Sequence, residues 1–219
     1  MIRQTTLSFL TQLKDNNNRD WFEANRKTYE SARQEYLLFV TEVLAGLKEF
    51  DSTLAGLEPK KCMFRINRDV RFSKNKDPYK TNFGSYFNKG GKGIECAGYY
   101  FHLEPGASFI GGGYWMPQAP ELKKIRSEID YNLDEFLDIL NEKELKKLFG
   151  NLGNDQKLSR PPQGYGPENP AIEYLKLKSF VVTAPITDAE LLVKSLTNKI
   201  LAHFKAMAPL VHFLNRAID

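Results

Sequence analysis

Arg65, Asn67, Asp69 and Arg71 occupy alternate positions in a segment whose other residues include Phe64, Ile66, Val70 and Phe72. A period of two is the pattern of a strand with one polar and one apolar face. Guanidinium donates two parallel hydrogen bonds to a phosphate or carboxylate, so this polar face suits such a group. The surrounding charge points the same way. From Lys60 to Lys80 there are eight basic residues against two acids, Asp69 and Asp77, a local +6 in a chain whose total is +4. Cations held together on an ordered element repel one another unless something negative offsets them. The candidate anion site is therefore Arg65, Arg68 and Arg71, with Lys74, Tyr79 and Lys80 as secondary contacts.

Arg68 breaks the alternation. Counting by two puts it on the apolar face between Ile66 and Val70, where an unpaired guanidinium is costly. Either it meets an acid, such as Asp69 or Glu104, or a bulge at 67–69 turns it back to the polar face. Lys74, Lys76 and Lys80 also fit a simple solvated turn. A later segment repeats the alternation. Tyr99, Phe101 and Leu103 face the core, leaving Tyr100, His102 and Glu104 together on the other side. If the arginines share that side, His102 becomes a candidate general acid or base. The plainer alternative is a histidine hydrogen-bonded on a sheet. His203 and His212 read as ordinary helix residues.

Other chemistries find little support. No His/Cys spacing of the zinc type occurs and Cys62 and Cys96 stand apart, so no metal site is assigned. Asp69, Asp77 and Glu104 could hold magnesium with a substrate phosphate, but carboxylates so scattered are commonplace, and the cofactor is left unknown. Gly111-Gly112-Gly113 lacks the residues of a phosphate loop or dinucleotide fingerprint and reads as a bend where backbone or ligand approaches closely. No nucleophile elbow is present.

The elements that would carry these residues follow from periodicity. Leu7, Leu10 and Leu13 indicate a helix that Asn16 to Asn18 interrupt, with Asn18 able to cap the next. From Trp21 to about Phe50 apolar residues recur at helical spacing, as one long helix or two joined at a small bend. Strands are expected around 64–72, 83–87, 99–103 and 107–115, with a turn at 75–78 and a glycine-rich connection at 89–93. Short connections imply antiparallel pairing. Helices follow around Leu122 to Ile129 and Leu133 to Leu140, then a loop over 150–167. Asn169-Pro170 reads as a cap and first helical position, 179–183 as a late strand, and 188–207 as a C-terminal helix. The expected fold class is α+β. The chain reads as one domain over 1–219: helical at 5–50, sheet-rich at 60–116, then helical with a loop and one late strand at 117–219.

Composition sets the class. The chain has 219 residues, 42% hydrophobic and 26% charged, enough apolar material for a substantial core. The N-terminal apolar residues form no signal-peptide core, and no apolar run approaches a membrane span. Two cysteines are too few for a disulfide scaffold, which points to a reduced, cytoplasmic setting.

Several blocks together resemble a known family. They are Asn-Asn-Arg-Asp-Trp-Phe at 17–22, Arg-Ile-Asn-Arg-Asp-Val-Arg-Phe-Ser-Lys at 65–74 and Lys-Asp-Pro-Tyr-Lys-Thr at 76–81. Gly-Tyr-Tyr-Phe-His-Leu at 98–103, Gly-Gly-Gly-Tyr-Trp-Met-Pro at 111–117 and Ile-Arg at 125–126 extend the similarity over almost the whole chain. The family is an uncharacterised bacterial one, domain of unknown function 2461. The resemblance implies a single-domain cytoplasmic α+β protein and supplies no activity, substrate or catalytic residue. Three functions remain in view. The first is an anion site for a phosphate-bearing small molecule, enzymatic or not. The second is a protein-interaction module using the sheet face or Trp21 and Trp115, its arginines structural. The third is binding to a nucleic-acid backbone.

Overall fold

Apolar side chains at spacings of three and four build the N-terminal layer. In the computed structural model, which describes residues 1–91, 93–153 and 156–219, α1 (Gln4–Asp15) buries Leu7, Phe9, Leu10 and Leu13 on one stripe. The Asn18 side chain accepts from Trp21 N at 2.9 Å and so starts α2 (Arg19–Ala24). Asn25 separates it from α3 (Arg26–Lys48), which buries Tyr36, Phe39, Val40, Val43, Leu44 and Leu47. The expected pair of joined helices is what forms. A short α4 (Pro59–Cys62) follows, with proline at its N-terminus.

Four strands, β1 (Phe83–Phe87), β2 (Gly98–Leu103), β3 (Phe109–Tyr114) and β4 (Phe180–Pro185), pair antiparallel in the order β1-β2-β3-β4. Between β3 and β4 the chain makes α5 (Ala119–Tyr131), α6 (Leu133–Asn141), α7 (Lys143–Phe149) and α8 (Ile172–Leu175). After β4 come α9 (Asp188–Leu191) and α10 (Leu196–Ile218). The architecture is α+β, with helices at both ends of the chain and an antiparallel sheet between.

One sheet face is closed by helices. Tyr36 of α3 meets Ser85 of β1 through a hydroxyl contact of 3.0 Å, Phe39 packs on Phe101, and Phe204 of α10 packs on Phe87 and Tyr99. A side chain at Gly112 would lie 2.1 Å from Met207 Sδ, so α10 rides directly on β3 backbone. The other face carries Tyr86, Tyr100, His102, Phe109, Gly111 and Thr183, and among the described residues no helix lies over it.

The strand expected at 64–72 does not form. Only isolated bridges occur, Met63 with Ser85 and Asn67 with Tyr79. Phe64 N donates to Gly84 O, Lys80 N to Ile66 O, and Arg68 N to Pro78 O. The result is a loose hairpin outside β1. Pro78 has no N–H to return, so pairing stops at Arg68 and the chain turns away. Of the expected apolar face, only Ile66 is buried, and Phe72 is 95% exposed.

Smaller differences concern ends. Asn169 Oδ1 accepts from Ala171 N at 2.7 Å, yet α8 begins only at Ile172. The expected helix 188–207 is two, because a Thr187–Glu190 capping box starts the short α9 before α10 begins. The helix α10 then runs through Pro209 to Ile218. The connections expected at 89–93 and 150–167 fall partly outside the described residues, at Lys92 and at Asn154 and Asp155.

Candidate functional site

The strand that would align the arginines on one face is absent. Arg71 is held by Asp69, with Nε–Oδ1 at 3.0 Å and Nη2–Oδ2 at 2.7 Å. The Arg68 guanidinium bonds to neither Asp69 nor Glu104. It donates to Asp77 O at 3.0 Å and Ser73 Oγ at 3.4 Å, tying the hairpin arms together. Arg65 and Lys74 are exposed. Tyr79 is buried, with its ring stacked 3.9 Å from Phe22 and its backbone bonded to Asn17 in both directions. Lys80 Nζ lies 5.2 Å from the centre of the Phe64 ring.

Phe64 leads to the more developed feature. It lines a groove of about 550 Å³ that crosses the helix-free sheet face. Gly111 and Gly113 of β3 form its floor, and Phe64, Tyr100, Phe109 and Trp115 supply aromatic walls. The absence of a side chain at 111 leaves the space between Phe109 and Thr183 open. Gly113 also takes φ +114°, and a Cβ there would sit 2.0 Å from Phe180 O, so strand pairing itself requires glycine. At the rim, Trp115 is 61% exposed, and Met116 has φ 47° with its N–H donated to Ser179 Oγ at 3.0 Å. A non-glycine residue in the left-handed region is strained, and such strain gathers at functional sites.

Next to this groove stands the group the alternation of β2 brought together. The Tyr100 hydroxyl lies 2.9 Å from His102 Nδ1, and His102 Nε2 lies 3.0 Å from Glu104 Oε2. Thr81 Oγ1 donates to Glu104 Oε1 at 2.9 Å, and the imidazole stacks on Phe109 at 4.8 Å. This face is shared with Thr81 and Asn82. Burial alone would raise the Glu104 pKa, but hydrogen bonds from His102 and Thr81 outweigh it, and the carboxyl sits below its ordinary value. Burial, helped by the Glu104 charge, pushes Tyr100 up to about 12, so its phenol stays protonated at neutral pH.

The remaining groove groups are less reactive. Burial raises the Cys96 thiol, which argues against a thiolate nucleophile. Tyr86 donates to Cys96 O at 2.6 Å. Tyr114 is buried, is pushed up to about 12 by desolvation, and its hydroxyl has no hydrogen-bond partner among the described residues. Among the described residues no cluster of three His, Cys, Asp or Glu is placed to hold a metal, and no helix is long and apolar enough to cross a membrane.

One constellation escaped sequence reasoning. Asp51, 2% exposed, accepts from Tyr99 OH at 2.7 Å, Thr53 Oγ1 at 2.6 Å and Thr53 N at 3.1 Å, and His212 Nε2 lies 3.2 Å away. His212 is thus an ion-pair partner and no ordinary helix residue. The available signal was Tyr99, a phenol on the core-facing register that needs a buried acceptor. His203 is unexceptional, its Nδ1 lying 2.8 Å from Lys199 O.

Residues 5–213 match the model of a family described as conserved hypothetical protein DUF2461, and the chain belongs to that family. No curated protein and no solved structure matches it.

Proposed function

We propose that this chain binds a small molecule with an aromatic or apolar body in the groove over Gly111 and Gly113. The observation that carries this reading is the combination of a glycine floor, aromatic walls and a volume of about 550 Å³, within the usual range for ligand sites. Tyr100, held from behind by His102 and Glu104, supplies a placed polar group of the kind such sites use for orientation. Trp115 at the rim provides a reporter, because the only other tryptophan, Trp21, packs on Phe9 in the N-terminal helices. In a Trp21→Phe variant, titration with 4-propylphenol is expected to quench or shift Trp115 emission saturably. A linear response equal to that of free tryptophan would count against the groove.

The basic segment keeps a role as the groove's rim. Lys80 stands over Phe64, a groove wall, and Arg65 is the next residue along. A ligand carrying a carboxylate or phosphate would place that group there, which retains the anion expectation in altered form. Replacing Lys80 and Arg65 by alanine should then weaken an acidic probe, 3-phenylpropionate, more than 4-propylphenol. Equal weakening would remove the anion subsite. A nucleic-acid partner would instead show a steep loss of affinity with added salt. A count of only two cysteines fits the cytoplasmic setting that the sequence suggests.

A further inference from the structure

We infer that the groove selects ligands bearing a hydrogen-bond donor, a hydroxyl or amine, because Tyr100 presents an oxygen whose proton is already committed to His102. This rests on the groove reading above and names the ligand class for it.

The direction of each hydrogen bond follows from one end of the relay. Glu104 is a carboxylate and only accepts, taking one hydrogen from Thr81 Oγ1 at its Oε1. Its Oε2 faces His102 Nε2 at 3.0 Å, so that nitrogen carries the hydrogen. An imidazole whose only hydrogen sits on Nε2 accepts at Nδ1, and this is the form the inference assigns to His102. Two donors are placed to supply Nδ1: the Tyr100 hydroxyl at 2.9 Å and the Asn82 amide nitrogen at 3.5 Å. The Tyr100 proton therefore points at His102, and what its oxygen offers a ligand is a lone pair.

The backbone is shaped to keep that hydroxyl where it is. Gly84 of β1 pairs with His102 of β2, and a Cβ at 84 would lie 2.8 Å from the Tyr100 oxygen and 3.3 Å from the Phe64 ring. Glycine at this position makes the space the phenol occupies. Stacking on Phe109, itself a groove wall, sets the plane of the imidazole. A surface histidine satisfying itself by chance needs neither the glycine nor the stacking.

The test uses a matched probe pair, 4-propylphenol and its methyl ether 4-propylanisole, titrated against the full chain carrying Trp21→Phe. The ether keeps the body and loses the donor. The ratio of phenol to ether affinity is expected to fall about tenfold when Tyr100 becomes Phe, the size of one hydrogen bond. Gly84→Ala, which displaces the hydroxyl without removing it, should lower the same ratio. Nitrogen-15 spectra of the imidazole should show hydrogen on His102 Nε2 and none on Nδ1. An unchanged ratio in both variants, or any hydrogen on Nδ1, alone or together with one on Nε2, would overturn the inference while leaving the groove intact. Failure of both probes to bind would instead overturn the groove reading on which it rests.

Discussion

Asp51 gathers donors from three separate parts of the chain, and a buried carboxylate so engaged cannot be removed cheaply. Asp51→Ala leaves the Tyr99 hydroxyl without its acceptor in the core and should cost about 3 kcal/mol in chemical denaturation. The His212 contact adds a pH dependence whose sign is determined. The hydrogen bond to Asp51 raises the His212 pKa above its ordinary 6.5, with burial opposing. The pair's contribution is complete below pH 6.5 and is lost as pH rises through the raised value. Burial would raise Asp51, but hydrogen bonds from His212, Thr53 and Tyr99 hold it below its ordinary 3.8. That contribution is present above 3.8 and lost on acidification. Wild-type stability should thus decline above pH 6.5, by about 1 kcal/mol given His212's partial exposure, and His212→Gln should flatten the decline. A His212→Gln variant with the wild-type slope would refute the pairing.

At the scale of elements, the glycines of β3 divide into two kinds. A methyl at Gly112 meets the thioether of Met207, a flexible side chain, whereas one at Gly113 meets the backbone oxygen of Phe180. Gly112→Ala should cost about 1–3 kcal/mol, and Gly113→Ala more, because strand β4 would have to separate from β3. Equal losses in thermal unfolding would mean that the sheet yields as readily as the methionine. These strands were readable because Phe83, Ser85 and Phe87, and then Tyr99, Phe101 and Leu103, alternate against a helix-covered core. The same alternation put Tyr100, His102 and Glu104 on one face, and the relay is its consequence. Residues 64–72 alternate as well but lie beyond the sheet's edge, where Pro78 ends the pairing and Phe72 stays exposed. Periodicity reports the pattern of side chains and is silent on whether a neighbouring strand exists to receive them. The Asp51–His212 pair was hidden for a different reason, since it joins the end of α3 to the end of α10 across most of the chain.

For the whole molecule, α10 is the organising element. It touches α3, α5, α6, α7, β2 and β3, and its buried Phe204, Met207, Val211 and Phe213 belong to a core that also includes Leu10 and Leu44. Such a shared core predicts that residues 1–219 unfold as one unit, with far-ultraviolet and near-ultraviolet signals coinciding through a single transition. Two separated transitions would contradict the single-domain proposal. The same packing explains why the groove can be open. Helices on one face supply the stability, and the opposite face of β1 to β4 carries the groove proposed as a ligand site. The most direct measurement is a backbone amide shift map of the labelled chain titrated with 4-propylphenol. Shifts should concentrate at Phe64, Gly84 to Tyr86, Tyr100 to His102, Phe109 to Met116 and Val181 to Thr183. Shifts confined to the hairpin between Arg65 and Lys80, or none at saturating probe, would contradict the account.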